Sequence, residues 1–550
     1  MEKRVIIAFA LSFAVFYAFT VLFPPKPAET TPQAQTAPPQ VNKPAPQSRQ
    51  PVEKTEERVI PTTEEERADK AEDFVIDTPL YTATVSNVGA VLKSYKLKMY
   101  TDGEGKPLEL IDQTSASKVG WPLAVMTGDK ALDDELNDAQ FAGRKYGDQL
   151  SLAFASKGVH VRKTLQFDPE RYEFSLDVGL TNDGKNVPHY IVWRGGFGDQ
   201  SIPQDPAKKN AVYQTDSAFK RVNLRSLKDQ EQDYTSVRAG VDDQYFLAMF
   251  LLPDNPVQVR VRKLEYPAPD GKTQIPTLSL AAMVPEGRTL HVYVGPKQRD
   301  ALAKADPQLP AVVDYGWFEF IARPLVFCLL WIHSYIPNFG WAIIILTIAL
   351  NVVLFPLRLK QQVSMLKMQK IQPQMRRLQD QYKKLKPTDE RRAEIQRQMM
   401  NLYKEHGVNP MGGCLPLLLQ MPLLFGFYSA LAYSIELRRA PWMLWVKDLS
   451  QPDYVFGTIP ILAILMAVSM FIQQKMTPTT NVDPAQARMM MIMPVMFIFM
   501  FWSQSSGLVL YWLTSNVMGI VQQVFINKYW SPHAEAKLRA GPKPKEARGD

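Results

Sequence analysis

Residues Asn409 to Leu431, NPMGGCLPLLLQMPLLFGFYSAL, set one carboxamide, Gln420, among three prolines and a long apolar run. That is poor material for a soluble core helix. Proline is tolerated in a membrane span where neighbouring helices satisfy the freed backbone groups. A polar side chain at mid-depth faces a protein interior or a wet cavity rather than lipid. The chemistry this suits is the handling of polar matter in the plane of a membrane. Residue sets for bond-making are missing: the chain has no H-E-x-x-H, no G-x-S-x-G, no Cys/His cluster of zinc spacing and no G-x-x-x-x-G-K-[ST] phosphate loop. Lys404-Glu405-His406 lacks metal spacing and reads as loop surface, and Asp133-Asp134 reads as a turn. A transporter would show internal repeats or several intramembrane charges; no repeat is found, and the mid-span groups are nearly all neutral.

Several kinds of element must position Gln420. Lys3 and Arg4 precede Val5–Phe23, nineteen apolar residues, long enough for a hydrocarbon core of ~30 Å. A cleaved signal peptide has a shorter apolar region and a small-x-small site, whereas this run ends in Phe23-Pro24-Pro25, so residues 1–23 read as a retained anchor. Residues 24–73, rich in Pro, Gln, Thr and Glu, read as a disordered tether whose Glu64-Glu65-Glu66 is a solvated run. From 74 to 310 short segments alternate: Val161, Leu165 and Phe167 share one parity and Arg162, Thr164 and Gln166 the other. The pattern recurs at Phe174–Leu180, Val257–Val261 and Leu290–Val294, which predicts a large antiparallel β-sandwich. Residues 315–336, studded with Glu319, Arg323, Pro324 and His333, predict an amphipathic helix at the outer interface, with Trp317 and Trp331 at headgroup level.

Five further spans are expected at 338–357, 410–433, 454–473, 489–502 and 507–526. With the anchor they make six crossings, so a chain that starts inside ends inside. The charge agrees. The 550-residue chain carries +8 overall, and residues 358–406 hold 13 Lys or Arg against 5 Asp or Glu, while the tail after Ile526 holds 6 against 3. Both basic segments fall on the cytoplasmic side under the positive-inside rule. Acidic lipid, ribosomal RNA and acidic protein are all fitting partners for them. The two cysteines, Cys328 and Cys414, lie in apolar segments and read as packing residues.

Residues 358–408 predict a helical hairpin. Met368, Ile371, Met375, Leu378, Tyr382 and Leu385 form one helical stripe, and Ile395, Met399 and Leu402 a second. Lys386-Pro387-Thr388-Asp389 breaks them, with Thr388 or Asp389 as the next N-cap. Lys367, Lys370, Arg376, Arg377, Lys383 and Lys384 take the remaining faces of the first helix. Two readings are open: a solvated connector, or a basic docking arm for a ribosome or incoming polypeptide.

Asn338-Phe339-Gly340-Trp341, the Pro356-Leu357 exit, Asn409-Pro410-Met411-Gly412-Gly413-Cys414-Leu415-Pro416, Gln420-Met421-Pro422, Ser434-Ile435-Glu436-Leu437-Arg438 and Ser506-Gly507-Leu508-Val509-Leu510-Tyr511 resemble the YidC family of membrane-protein insertases, of the type with a large periplasmic domain. The resemblance implies a five-helix core enclosing a hydrophilic groove, open to the cytoplasm and to lipid and closed to the outside. The groove takes a client's short polar segment part-way across, and the client's apolar helix slides into the bilayer. It implies an inner-membrane protein that is not an enzyme and has no nucleotide, cofactor or metal. Nascent membrane proteins would be its clients; a Sec-type channel, the ribosome (through the hairpin and the basic tail 527–550) and anionic lipid are the expected partners. Thr347, Gln420 and Asn516, with Tyr511 near them, fall where the family places groove-lining groups; for each the alternative is an interhelical hydrogen bond.

One departure stands out. Many family members carry an arginine in the first core span where this chain has Asn351. Arg358, seven residues on, lies on roughly the same helix face about 10 Å toward the cytoplasm. It either supplies the groove's positive charge by reaching inward or snorkels to headgroups. Ser505 stands where a proline is usual. Met489, Met490, Met491, Met493, Met496 and Met500 crowd one span. They suit either a slide for client helices or gap-filling between helices. In the sandwich, Trp193 beside Arg194-Gly195-Gly196 suits either stacking on a sugar ring or a structural role.

Overall fold

The computed structural model describes residues 66–530 except 203–205, 217, 228–230, 253–254, 269, 387–388, 407–414 and 477–483. The anchor at 1–23, most of the tether, Thr388, the 409–414 part of the proline-rich motif and most of the basic tail lie outside the described residues. The chain divides into two compact units, with the boundary between Val312 and Val313.

The first unit is β-rich, with sheets of four, ten and five strands. The expected alternating segments are strands: Val159–Phe167, Glu173–Asn182, Val257–Pro267 and Leu290–Pro296. Their registers bring like parity to one face. Leu165 pairs with Leu176 and Phe167 with Phe174, while Leu290 and Val292 face Leu176 and Phe174 from the next strand. Burial of these apolar faces, at roughly 25 cal/mol per Å², is what holds the layers together. Order begins earlier than the tether reading allows. Glu66 and Ala155 exchange backbone hydrogen bonds of 3.1 and 2.8 Å, so Glu66 belongs to the β-rich unit rather than to a solvated run. Asp133-Asp134 is helical, within Lys130–Asp138, and Asp133 accepts from the backbone and hydroxyl of Thr127. Trp193 is 2% exposed and meets Phe197 and Phe250 edge-on, which leaves no face for a sugar ring.

Lys163 breaks the alternation. It sits at an inward position of its strand, fully buried, and its Nζ donates to the carbonyls of Gly89, Ala90 and Leu123 at 3.0, 2.9 and 2.8 Å. All three carbonyls belong to residues with left-handed backbone, at φ of 71°, 50° and 68°. Gly89 is required there, because a Cβ would strike the Asn137 carbonyl. Burial, helped by the charge of Arg194, lowers the Lys163 pKa to about 7.

The second unit is helical. Its helices are α1 (Glu319–Tyr335), α2 (Phe339–Val353), α3 (Phe355–Lys384), α4 (Arg391–Glu405), α5 (Leu415–Tyr433), α6 (Ile461–Met476), α7 (Pro484–Met500) and α8 (Ser506–Phe525). By length and apolarity, Gly316–Tyr335 and Ser506–Tyr529 are the two described helices sufficient to cross a bilayer; Phe339–Val353, Ile461–Met476 and Met491–Met500 are apolar but shorter. The segment at 315–336 is thus long and apolar enough for a span as well as for an interfacial helix. It buries Ala322, Leu325, Leu329 and Ile332 and turns Phe320, Phe327 and Trp331 outward.

Element ends differ from expectation in physical ways. The 454–473 segment opens as a hairpin, Tyr454–Val455 with Ile459–Pro460, because Phe456 and Gly457 take positive φ; its helix starts at Ile461. The 489–502 segment starts at Pro484, suited to a first helical turn, and ends at Met500. The first core helix stops at Val353, and α3 begins anew with Pro356 in its first turn, where no N–H is needed. The hairpin α3–α4 buries Ile371, Met375 and Ile395. Arg392 pins its turn, lying over the Tyr382 ring at 4.5 Å and donating to the Leu385 carbonyl. Helix α4 starts after Glu390, while the Asp389 carboxylate accepts from the backbone N–H of Arg391. Lys404 and Glu405 end α4 rather than lying in a loop.

Candidate functional site: a polar seam inside an apolar bundle

Helix α8 buries Leu508, Val509 and Leu510 in its first turns, and from Tyr511 onward it is amphipathic in the sense opposite to a soluble helix. It buries Tyr511, Ser515, Asn516, Gly519 and Gln522 and exposes Val517, Val521, Val524 and Phe525. Helix α2 buries Thr347 and Asn351 beyond an apolar stretch of Phe339, Ala342, Ile343 and Leu346, and exposes Ile348, Val352 and Val353. In α6, Ser469 is buried and Leu465, Val468 and Ile472 face out. Polar groups kept to buried positions beneath an apolar exposed face are the pattern of helices solvated by lipid.

The inner polar groups form a seam of three clusters. In the first, Gln420 of α5 donates to the Tyr511 hydroxyl at 2.9 Å, and the Tyr511 ring stacks on Phe427 at 4.0 Å. In the second, Asn516 of α8 donates to the Ser469 hydroxyl at 3.0 Å, and Ser469 donates to the Met466 carbonyl at 2.6 Å. This couples α6 to α8, the interhelical bond that was the alternative for Asn516.

The third cluster gathers Thr347, Asn351 and Arg358. The Thr347 hydroxyl donates to the Ile343 carbonyl at 2.6 Å, and the Asn351 amide donates to the Thr347 carbonyl at 2.8 Å. Arg358 turns inward: its Nη1 donates to Gln522 Oε1 at 2.7 Å, and Gln522 Nε2 donates to the Asn351 carbonyl at 3.0 Å. Asn351 Oδ1 is buried without a hydrogen-bond partner. Gly519 makes room for this cluster, since a Cβ there would strike the amide of Gln473 and lie 3.5 Å from Arg358 Nη1. Gln522, Gly519, Gln473 and Ser469 were not anticipated. The available signal was a Gly-x-x-Gln pair running on from Asn516 along one helical face.

The opposite end of the bundle is covered. Ile435, Leu437, Val446 and Leu449, on the chain between α5 and α6, are buried in its core. Gly507 donates to the Leu449 carbonyl at 2.9 Å, Ser506 to the Asp448 carbonyl at 2.7 Å, and the Asn338 amide to the Trp442 carbonyl at 3.0 Å. Asp453 fastens the cover, accepting from Trp445 Nε1 and from the first turn of α6. Ser505 precedes α8 with extended backbone, in a conformation that proline also adopts. Met493 and Met496 are half-buried and Met500 is exposed on α7. On α3, Arg376, Arg377 and Lys384 are exposed and Lys367 is half-buried.

Residues 73–328 match the family described as YidC periplasmic domain, and residues 331–533 the family described as 60Kd inner membrane protein. The membrane protein insertase YidC of Citrifermentans bemidjiense is 38% identical over 96% of this chain and 99% of its own. That of Geobacter sulfurreducens is 36% identical over 98% of this chain and 100% of its own. The chain belongs to the YidC family. Its β-rich unit is the family's periplasmic domain, and its helical unit is the membrane protein proper. A solved structure described as an active YidC insertase with the first transmembrane domain resolved shares 20% identity, covering 85% of this chain and 94% of its own, with a TM-score of 0.36. In this chain Asn351, Arg358 and Gln522 come together, and the Arg358 guanidinium enters the seam from α3.

Proposed function

We propose that this chain inserts membrane proteins, and that the seam lines a hydrophilic groove through which a client's short polar segment passes part-way before its apolar helix enters the lipid. The observation that carries this reading is the inverted amphipathicity of α8 from Tyr511 to Phe525, polar on its buried face and apolar on its exposed one. A charged side chain costs ~3 kcal/mol or more at the centre of a bilayer. A polar cavity reaching part-way lowers that barrier, and burial of the client's apolar helix drives the remainder without nucleotide hydrolysis or covalent chemistry. Arg358 supplies the attracting charge for acidic client tails, while Met493, Met496 and Met500 offer an adaptable surface to the apolar helix.

The chain crosses the inner membrane six times, with both termini cytoplasmic and α1 lying at the outer interface. The α3–α4 hairpin and the basic tail meet the ribosome and anionic lipid, and a Sec-type channel hands over some clients for folding. Photo-crosslinkers on a stalled client test the groove. The polar segment should crosslink at Gln420 and the apolar helix at Met496; polar-segment crosslinks at Val521, on the exposed face, would contradict the reading.

A further inference from the structure

The counter-charge of Arg358 is missing from the helices that surround the seam. Helices α2, α5, α6, α7 and α8 contain no aspartate or glutamate. What the guanidinium meets is a neutral carboxamide oxygen, Gln522 Oε1, at 2.7 Å. The orientation of that amide is fixed from its other end, because Nε2 must find an acceptor and takes the Asn351 carbonyl at 3.0 Å. Gln522 therefore presents a neutral oxygen to Arg358 where a carboxylate would add a second charge and make the stronger bond. The same corner holds a spare acceptor, Asn351 Oδ1, buried without a partner. A buried acceptor with no donor carries its full desolvation penalty.

We propose that Gln522 is a specificity-determining residue of the groove: its carboxamide holds the place of a client carboxylate on Arg358, and an acidic client segment displaces it. The neutral placeholder keeps the guanidinium hydrogen-bonded while the groove is empty, yet it binds more weakly than the ligand it represents. A carboxylate built in at residue 522 would instead occupy Arg358 permanently. Gly519 lets the Gln473 amide and the Arg358 guanidinium approach α8 closely at this corner. The inference rests on the reading of Arg358 as the charge that receives acidic tails.

The test uses the full chain in anionic-lipid vesicles and two single-span clients, one with aspartates in its translocated tail and one with asparagines in their place. The readout is the ratio of their initial insertion rates, so that uptake of the asparagine client reports folded protein in every variant. Gln522→Glu should lower the aspartate-to-asparagine ratio on the order of tenfold, the difference between a neutral and an ionised acceptor on the guanidinium. The exchanged pair, Arg358→Gln with Gln522→Arg, should restore the ratio lost in Arg358→Gln alone, since it rebuilds the same contact from the opposite helices. A ratio unchanged by Gln522→Glu, through equal slowing of both clients or none, overturns the placeholder. A ratio unchanged by Arg358→Gln overturns the reading beneath it.

Discussion

The amide of Gln420 on α5 donates to the phenol oxygen of Tyr511 on α8 at 2.9 Å, while the Tyr511 ring stacks on Phe427, about two turns along α5, at 4.0 Å. One side chain thus carries both a polar and an aromatic tie between the same two helices. The two parts separate by mutation. Tyr511→Phe keeps the stack and removes the hydroxyl, and interhelical hydrogen bonds in membranes average ~0.6 kcal/mol. Tyr511→Ala also leaves a cavity, and large aromatic truncations cost ~3–5 kcal/mol. Thermal unfolding in lipid nanodiscs should therefore show a small shift for Phe and a large one for Ala. Equal shifts would mean that the hydroxyl dominates.

The cover over the closed end depends on Gly340. A Cβ at that position would strike the Trp442 ring, so Gly340→Ala must push the tryptophan and the loop it anchors off α2. Overpacking of this kind costs ~1–3 kcal/mol. A cysteine placed at buried Val446 should react with a polar maleimide slowly in the parent and several-fold faster in the Gly340→Ala background. No change in reactivity would show that the cover does not lean on this contact.

Lys163 links stability to pH with a definite sign. Its folded pKa is lowered to about 7 from the ordinary lysine value of 10.5, so between those values the unfolded chain binds more protons. Stability of the β-rich unit should rise as pH increases from about 7 to about 10.5 and lose this dependence below 7. Hydrogen exchange of the Val159–Phe167 amides at several pH values, corrected for intrinsic rates, measures it. Lys163→Met should flatten the slope and lower protection throughout, because three inward carbonyls lose their donor. Protection that falls as pH rises would contradict the assignment.

The α3–α4 hairpin gives an ionic-strength prediction. Replacing Lys367, Lys370, Arg376, Arg377, Lys383 and Lys384 by glutamine should weaken co-sedimentation with ribosomes at low salt and leave the melting of the bundle unchanged. Parent binding should decline steeply with salt, as exposed charges are screened over ~8–10 Å at physiological ionic strength. Binding insensitive to both changes would favour the plain connector.

Local patterns reached as far as local physics does. Alternation found Val161, Leu165 and Phe167, but the same strand hides Lys163, whose acceptors come from three left-handed residues distant in sequence. No periodicity announces such a partner. The tether ran too far because Glu66 is ordered only by pairing with Ala155. The span expected from Tyr454 lost its start to a turn at Phe456-Gly457, whose apolar neighbours read as helix. The inward turn of Arg358 agrees with its helical spacing from Asn351. Gln522 was not legible, because a glutamine near the end of an apolar helix also fits the headgroup region, and only its bonds to Arg358 and Asn351 place it in the seam.

The most direct measurement is insertion by the purified chain alone. Vesicles of anionic lipid would receive one short, single-span client with an acidic translocated tail, and protease protection of the tail would be followed without nucleotide or any other protein. Protection well above that of protein-free vesicles, and lost in Arg358→Gln, is the expected result. Protection no greater than in empty vesicles would contradict a self-sufficient insertase whose polar seam carries the client across.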